Sequence, residues 1–313
     1  AAAGVIAGLT DPRRSPQERL AEAFAADSVV FYKEGVNATV SLNRTLVTGH
    51  LFLKIGGKTD ASSGDIETQL LSGHLPMLFA PDSAKVIVIG QGSGMTLAGV
   101  LKYPIASAEI VEIEEAVLEA SRAFHPPGQD PLDDPRTRIT LEDGRTRLAV
   151  EKGQFDVVIS EPSNPWLAGN NNLFTRDFYR LVRSRLSPDG VFGQWIQLYE
   201  ISPETLSSLL TAFHSVFPNT YAFLTFNADL ILIAAPSDAS FRFDQLYAPA
   251  IASDLSRVAL DPPELILSYY MCELSELPAE LVNGVPNTDD NARVEYRAPI
   301  DLFEVGRRDI FGG

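Results

Sequence analysis

Two kinds of hydrophobic pattern follow each other along the chain. Between Ser28 and Lys58, the short runs SVVFY, ATVSL, TLVTG and LFLKI are rich in β-branched and aromatic residues, and polar or glycine-containing turns separate them. This pattern predicts a small antiparallel β unit. After it, fully apolar runs alternate with amphipathic segments of helical period, which is typical of parallel strands covered by helices.

The alternation of apolar runs and helical segments predicts the order of the main sheet. A strand, a helix and a second strand in succession place the two strands parallel to each other. Two strand-like runs within 220–235 follow each other without a helix and predict an antiparallel edge. The sequence thus predicts an α/β protein with a mostly parallel sheet. The expected strands are 86–89, 108–113, 138–141, 155–160 and 191–198, and the expected helices are 175–186 and 204–217.

The stretch from Val86 to Ala120 predicts a site for a nucleoside. Its first apolar run ends at Gly90, and further glycines stand at positions 92 and 94. Glycines let the backbone approach a ligand closely, and the helix start behind them offers free N–H groups. The next strand carries Glu112, twenty residues beyond Gly92, where nucleotide-binding βαβ units place a carboxylate for the ribose hydroxyls.

The glycine loop alone leaves several ligands open. NAD, FAD and S-adenosyl compounds all bind to this arrangement, and glycine turns also close strands onto helices without binding a ligand. The loop reads GQGSGM, and around Met95 it lacks the third glycine with which a dinucleotide motif packs at the pyrophosphate. The loop therefore favours an S-adenosyl group, which carries no phosphate.

Several residues stand just beyond the carboxyl ends of the predicted parallel strands. Ligands of open α/β sheets bind beyond these ends, so we expect these residues to face one crevice. Three further acids, Asp60, Asp65 and Glu67, precede the first parallel strand; they either line the mouth of this pocket or are solvated loop residues. The residues at the strand ends are Gly90, Glu112, Asp143 and Glu161.

The composition is that of an acidic globular enzyme. The 313 residues are 45% hydrophobic and 21% charged, and the formal net charge is −16. This charge repels nucleic-acid phosphates and anionic membranes, so we expect no nucleic-acid partner. It attracts a small cationic substrate, although acidity also simply keeps a protein in solution.

The cysteine count and the hydropathy pattern bear on the location of the protein. Cys272 is the only cysteine, which excludes an intramolecular disulfide, fits a reducing compartment and predicts a core position. No apolar run reaches the eighteen or so residues of a membrane span. We therefore expect a cytoplasmic protein. The chain begins AAAGVIAGLT without a methionine, which leaves open that a processed or omitted segment precedes it.

Several longer motifs follow one another in the chain: GHLPMLFAPDSAKVIVIGQGSG, VEIEEAV, LEDGR, FDVVISEPSNPW, LFTRDFY and LSPDGVFGQW. Together they resemble the spermidine synthase, or aminopropyltransferase, family over roughly Val29 to Pro236. The resemblance is strongest to the branch of spermidine synthase-like domains that are fused to membrane segments. It implies, as an alternative to a cytoplasmic protein, the soluble domain of a membrane-attached one.

The resemblance implies a fold and a domain order. The fold is a class I methyltransferase-like Rossmann domain behind a small N-terminal antiparallel β domain, and the family often forms homodimers. We accordingly expect an entry segment at 1–27 and a β domain with a linking helix at 28–80. A Rossmann-like donor-binding domain at 81–236 and a helical or loop extension at 237–313 would follow.

The family's reaction implies a pair of substrates. The family transfers the aminopropyl group of decarboxylated S-adenosylmethionine to a polyamine, and it uses no metal. The amine attacks the carbon next to the sulfonium, while carboxylates hold the cationic chains and accept the proton. The resemblance therefore implies a small cationic amine as the acceptor, and decarboxylated or ordinary S-adenosylmethionine as the co-substrate.

Carried over by motif, the resemblance also assigns roles to single residues. Glu161 falls at the family's catalytic aspartate, Glu112 would bind ribose and Asp143 would face the adenine amino group. Asn164 falls at a second aspartate, which holds the acceptor amine. Trp166 fits either contact with the acceptor or simple hydrophobic packing. The acceptor-binding candidates are Asn164, Trp166 and Tyr199, and the donor-binding candidates are Gly90, Gly92, Ser93, Gly94, Glu112, Asp143, Gly144 and Asp60.

Departures from the family pattern leave the reaction open. The family has an aspartate at Ser93, which pairs with the aminopropyl ammonium and repels the carboxylate of ordinary S-adenosylmethionine. Asp60 stands at a family glutamine near the donor and brings a negative charge back. Asn164 replaces an aspartate, and segment 68–70 replaces a Tyr-His-Glu motif of the acceptor channel. A methyltransferase and a catalytically inactive nucleoside-binding domain are therefore the alternatives.

Overall fold

The computed structural model describes residues 27–165, 169–225 and 229–310, so the predicted entry segment lies almost wholly outside the described residues. The described strands form a four-stranded sheet and an eight-stranded sheet. The smaller sheet is the predicted antiparallel β unit, and its strands pair in sequence order. They are β1 (Asp27–Glu34), β2 (Thr39–Thr45), β3 (Leu51–Ile55) and β4 (Lys58–Ser62).

One strand of the small sheet comes from a segment that the hydrophobic pattern does not indicate. Of the run TLVTG (45–49), Thr45 ends β2 and the remaining residues form the connection to β3 instead of a strand of their own. The fourth strand is the polar segment Lys58–Ser62. Gly56 and Gly57 have φ values of 58° and 84°, which suit the tight hairpin that returns this segment to β3. Asp60 therefore lies on a strand.

The large sheet is parallel in its centre and antiparallel at one edge. Its strands are β5 (Lys85–Ile89), β6 (Ser107–Glu112), β7 (Thr137–Leu141), β8 (Phe155–Ser160), β9 (Leu186–Gln197), β10 (Thr220–Leu224), β11 (Asp229–Ala234) and β12 (Tyr270–Glu273). Their order is β12-β10-β11-β9-β8-β5-β6-β7. The strands from β9 to β7 in this order are parallel, and β11, β10 and β12 are antiparallel to their neighbours. This is the predicted class I methyltransferase-like fold.

Helices cover both faces of the large sheet. They are α1 (Ile66–Met77), α2 (Met95–Val100), α3 (Glu115–Ser121), α4 (Gly144–Val150), α5 (Arg176–Arg185), α6 (Pro203–His214), α7 (Phe243–Leu246), α8 (Pro249–Ser256), α9 (Ala279–Val282) and α10 (Arg293–Ile310). Val86 and Val88 of β5 belong to one hydrophobic cluster, and Ile87 and Ile89 to another. Side chains alternate along a strand, so burial on both faces explains the unbroken apolar run. No described helix combines the length and the apolar character that crossing a bilayer requires.

The small sheet packs against α3 beside the parallel strands. Val40 and Leu42 of β2 form one buried cluster with Ala116 of α3. Glu114, the residue before α3, accepts a hydrogen bond from the backbone N–H of Asn37 at 2.9 Å. These contacts fix the β1–β2 turn and the sheet behind it next to the end of β6.

The region after Pro236 contributes a strand as well as the expected helices and loops. β12 pairs with β10 and completes the antiparallel edge. Cys272 lies on this edge strand, where it is only partly buried and packs against the outside of a hydrophobic cluster instead of lying within it. Asn287 is fully buried, and its side-chain amide donates to Asn171 Oδ1 at 2.8 Å and to the Phe174 carbonyl oxygen at 3.0 Å. The C-terminal region is thereby tied to the segment after β8.

Candidate functional site

A cleft of about 550 Å³ opens beyond the carboxyl ends of the parallel strands. The glycine loop after β5 and the residues that follow β6, β7 and β8 form its walls, and Ile55 of β3 closes it from the side of the small sheet. The crevice that the strand ends predict is therefore present. The predicted site residues that line it are Gly90, Gly92, Glu112, Asp143, Gly144, Glu161 and Asp60.

Two of the predicted donor-binding residues belong to the glycine loop but do not line this cleft. Ser93 is 1% exposed, and its hydroxyl donates to the side-chain oxygen of Gln69 in α1. Gly94 has a φ of 82°, and a Cβ there would meet Gln91 Nε2 at 2.6 Å and His125 Nε2 at 2.9 Å. Both residues therefore shape the loop from the protein side.

The glycines at two strand ends serve close packing within the protein. Gly90 has a φ of 94°, and a Cβ there would lie 2.4 Å from the carbonyl oxygen of Glu161. A Cβ at Gly144 would lie 2.4 Å from Cγ2 of Ile89. Sequence reasoning explained Gly90 by the approach of a ligand. The structure shows that Gly90 also leaves room for the backbone that follows β8. This close packing brings Glu161 beside the glycine loop.

Glu112 ties the glycine loop to β6. Its carboxylate accepts hydrogen bonds from the backbone N–H groups of Gln91 at 2.9 Å, Ile113 at 2.9 Å and Glu114 at 3.0 Å. The side chain is 9% exposed, and its burial raises the pKa of Glu112 to about 7 in spite of these donors. The sequence placed Glu112 at the cleft but did not reveal this structural role.

Asp143 stands at the start of α4. Its Oδ1 accepts the backbone N–H of Thr146 at 2.7 Å and caps the helix. The cap fixes the direction of the side chain, which also lines the cleft.

Glu161 follows β8 at the inner end of the cleft. Its carboxyl group is hydrogen-bonded to the hydroxyl of Thr96. Removal from water, together with the nearby carboxylates of Asp65, Asp60 and Asp229, raises the pKa of Glu161 to about 8. Raised pKa values of this kind occur at catalytic acids and bases.

The hydroxyl of Thr96 contacts two oxygen atoms. It lies 2.9 Å from the carbonyl oxygen of Gln69, and it also contacts Oε2 of Glu161. A hydroxyl has one proton, so Thr96 donates either to the carbonyl oxygen of Gln69 or to the carboxylate of Glu161. Donation to the carboxylate stabilises its ionised form and lowers the pKa of Glu161, against the larger effect of burial.

A narrow recess of about 40 Å³ continues the cleft past Glu161. Asp60 and Asp65 line it, so for these two acids the pocket position is the observed one, whereas Glu67 lines neither the recess nor the cleft. Asp229, the first residue of β11, accepts a hydrogen bond from the lining residue Thr68 at 3.3 Å. Burial, together with Asp65, raises the pKa of Asp229 to about 7. We call this region, with Asp60, Asp65, Glu161 and Asp229, the acidic recess.

The acidic recess has the chemistry of a cation site. Carboxylates in one pocket repel one another when ionised, and an ammonium group would relieve this repulsion. Sequence reasoning missed Asp229, which is the first residue of an apolar strand and does not belong to a recognisable motif. In the part of the chain that the structure describes, no group of three His, Cys, Asp or Glu side chains is arranged to hold a metal ion.

Two of the three acceptor-binding candidates lie together. Asn164 is 1% exposed, and its amide N–H donates to the Tyr199 hydroxyl at 3.3 Å. The same amide accepts a hydrogen bond from the ammonium group of Lys58, a residue that sequence reasoning did not single out. Trp166 lies outside the described residues. The roles of these residues in binding stay predictions.

Comparison with known proteins identifies the family to which this site belongs. The profile of the spermine/spermidine synthase domain matches residues 65–228. The polyamine aminopropyltransferase of Thermotoga petrophila is 34% identical over 156 residues, which are 49% of this chain and 52% of that protein. The spermidine synthase of Dictyostelium discoideum is 32% identical over 152 residues, which are 48% of this chain and 53% of that protein. The chain thus spans about half the length of these curated relatives.

Solved structures agree with this assignment. The crystal structure of spermidine synthase from Thermotoga maritima has a TM-score of 0.59 at 25% identity and covers 66% of this chain and 72% of its own. A spermidine synthase in complex with the transition-state analogue AdoDATO has a TM-score of 0.56 at 24% identity, over 66% and 72% of the two chains, and supports the fold alone. Fold and cleft define a class I methyltransferase-like domain. Because the domain profile covers more than half of the sequence, the chain belongs to the spermine/spermidine synthase family.

Proposed function

We propose that this chain transfers an aminopropyl group from decarboxylated S-adenosylmethionine to a small amine. The observation that carries the proposal is the position of Glu161, at the junction of the cleft with the acidic recess and with a pKa of about 8. Membership of the spermine/spermidine synthase family supports it. So do the names of the relatives, polyamine aminopropyltransferase and spermidine synthase.

The nucleoside of the donor occupies the cleft in this proposal. A volume of about 550 Å³ suits a ligand of this size. Glu112 accepts hydrogen bonds from the ribose hydroxyls, and Asp143 accepts one from the adenine amino group. Asp60 lies on β4 where the cleft meets the acidic recess, and it attracts the aminopropyl ammonium.

The reaction takes place beside Glu161. The lone pair of the acceptor nitrogen forms a bond to the carbon next to the sulfonium, and the electrons of the breaking C–S bond neutralise the sulfur. The products are the N-aminopropyl amine and 5′-methylthioadenosine. The amine loses a proton to the ionised form of Glu161, and a pKa near 8 suits a base that works slightly above neutral pH.

Product analysis tests this proposal. The protein is incubated with decarboxylated S-adenosylmethionine and a panel of small amines, and the nucleoside products are separated by chromatography. We expect 5′-methylthioadenosine together with an aminopropylated amine. A protein that binds the donor but forms no 5′-methylthioadenosine with any amine would contradict the proposal and support a nucleoside-binding role.

Methyl transfer from ordinary S-adenosylmethionine is the second candidate. It is favoured by Ser93, which brings no charge to the glycine loop and is hydrogen-bonded to Gln69 instead of facing the cleft. Without a carboxylate at this position, the donor carboxylate is repelled less. The same incubation with ordinary S-adenosylmethionine separates the two reactions, because methyl transfer would release S-adenosylhomocysteine.

A further inference from the structure

Lys58 occupies an unusual place for a charged side chain. It is the first residue of β4 and pairs across the hairpin with Ile55, a residue that lines the cleft. The Lys58 side chain is partly buried, and its ammonium group donates to Oδ1 of Asn164. The Asn164 side chain is itself almost completely buried.

The surroundings of Lys58 are those of a bound ammonium ion. Three carboxylates, Asp60, Glu200 and Asp229, act on it electrostatically, and each stabilises its positive charge. Burial has the larger and opposite effect and lowers the pKa of Lys58. Removal of the Lys58 ammonium group from water is unfavourable. The hydrogen bond to its oxygen partner and the surrounding negative charges compensate for it.

The amide of Asn164 is occupied on both sides. Its oxygen accepts from Lys58, and its N–H donates to the Tyr199 hydroxyl at 3.3 Å. An incoming ammonium group needs an oxygen acceptor, and the oxygen of this side chain already has a cationic donor. Two ammonium groups at one oxygen would also repel each other.

We propose that Lys58 supplies its own ammonium group at the position that the second amine of a diamine would take, so that this chain selects an acceptor with a single amine. The inference rests on the proposed function, together with the prediction from the family resemblance that Asn164 lies on the acceptor side. The reacting amine still enters the acidic recess beside Glu161. The other end of the acceptor molecule, which lies near Lys58, then carries no positive charge. It is apolar or polar and neutral, or it is anionic and pairs with Lys58.

Binding measurements test the inference without turnover. The protein is saturated with 5′-methylthioadenosine, and the affinities of n-butylamine and 1,4-diaminobutane are measured by calorimetry. We expect the unmodified chain to bind n-butylamine at least as tightly as the diamine. In Lys58→Met, which keeps an unbranched side chain but removes the charge, we expect the diamine to gain about tenfold or more in affinity and the monoamine to change by less than about threefold.

The control variants separate the charge of Lys58 from other effects. Lys58→Arg keeps the charge and should keep the preference for the monoamine. Lys54→Met removes the lysine that precedes Ile55 in β3. The Lys54 side chain lies on the face of β3 opposite to that of Ile55, so this variant should change neither affinity. Lys58→Gln gives the same readout as Lys58→Met if the latter variant does not fold.

Two results would overturn the inference while the proposed function stands. One is tighter binding of the diamine than of the monoamine by the unmodified chain. The other is an equal change, or no change, in both affinities when the charge of Lys58 is removed. Failure of 5′-methylthioadenosine to bind would overturn the proposed function, and the inference with it.

Discussion

Thr96 and Glu161 stand 65 residues apart in the chain, and their side chains form a hydrogen bond at the inner end of the cleft. Thr96 lies in the first turn of α2, directly behind the glycine loop, and Glu161 is the first residue after β8. The contact joins the loop that would hold the donor to the carboxyl group that would accept the proton. Burial raises the pKa of Glu161, and the hydrogen bond, which favours the ionised carboxylate, offsets part of that rise and so lowers the pH at which Glu161 becomes a base.

Replacement of Thr96 by valine tests this contact. Valine keeps the shape of the side chain but cannot donate to the carboxylate, so the pKa of Glu161 should rise further above 8. We expect the rising limb of the pH profile of kcat/KM to move upward by about half a unit to one unit. Thr96→Ser keeps the hydroxyl and should keep the profile of the unmodified chain. An unchanged profile in Thr96→Val would show that the hydroxyl does not control this ionisation.

Replacement of Glu161 by glutamine tests its role as the base. Glutamine resembles the protonated acid in shape but cannot take up a proton, so turnover should fall by about a hundredfold or more. Binding of 5′-methylthioadenosine, measured by calorimetry, should change by less than about threefold because the ribose contacts lie elsewhere. Asp189→Asn, at an exposed acid near the start of β9, is the control and should leave both values unchanged. Full activity of Glu161→Gln would remove Glu161 from the mechanism.

The buried acids make the stability of the ligand-free protein depend on pH. The pKa values of Asp229 and Glu112 are raised to about 7 and that of Glu161 to about 8, whereas the unfolded chain releases these protons near pH 4. Between these limits the folded state binds more protons than the unfolded state, so its stability falls as the pH rises. Each proton difference amounts to about 1.4 kcal/mol per pH unit.

We therefore expect the free energy of unfolding, measured in urea, to decrease between pH 6.5 and pH 8.5. Asp229→Asn should reduce this decrease because the amide cannot ionise, while Asp189→Asn should retain it. Stability that does not change over the same range would mean that the acidic recess holds ionised carboxylates already at pH 6.5.

Replacement of Ser93 by aspartate tests the basis of donor choice. A carboxylate in the glycine loop would attract the aminopropyl ammonium and repel the carboxylate of ordinary S-adenosylmethionine. We expect the ratio of the two affinities to shift by about tenfold or more towards the decarboxylated donor. Ser253→Asp, at an exposed position on α8, is the matched control for the added charge. An unchanged ratio would show that a charge at position 93, which does not line the cleft, does not act on the tail of the donor.

The central sheet was predictable because its strands are buried on both faces. β5 and β8 are continuous apolar runs, and such runs have few alternatives in a protein of this size. β4 was missed because it is polar, and only the Gly-Gly pair at 56 and 57 indicated its hairpin. β12 was missed because four residues at a sheet edge carry no periodic signal, and their pairing with β10 depends on the rest of the fold.

The candidate site was predictable where strand topology decides it. Glu112 is the last residue of β6, and Glu161 directly follows β8 of the same parallel sheet. Ligands of open α/β sheets bind beyond the carboxyl ends of the strands, so both residues were expected at one cleft. Lys58, Asp65 and Asp229 could not be predicted in the same way. They come from a polar strand, a loop and an antiparallel strand, and only the docking of the small sheet against the large one brings them together.

The most direct test of the account is a crystal structure of this chain with 5′-methylthioadenosine bound. We expect the nucleoside in the cleft, with the ribose hydroxyls within hydrogen-bond distance of the Glu112 carboxylate and the sulfur turned towards Glu161. A nucleoside bound outside the cleft, or a ribose out of reach of Glu112, would contradict it.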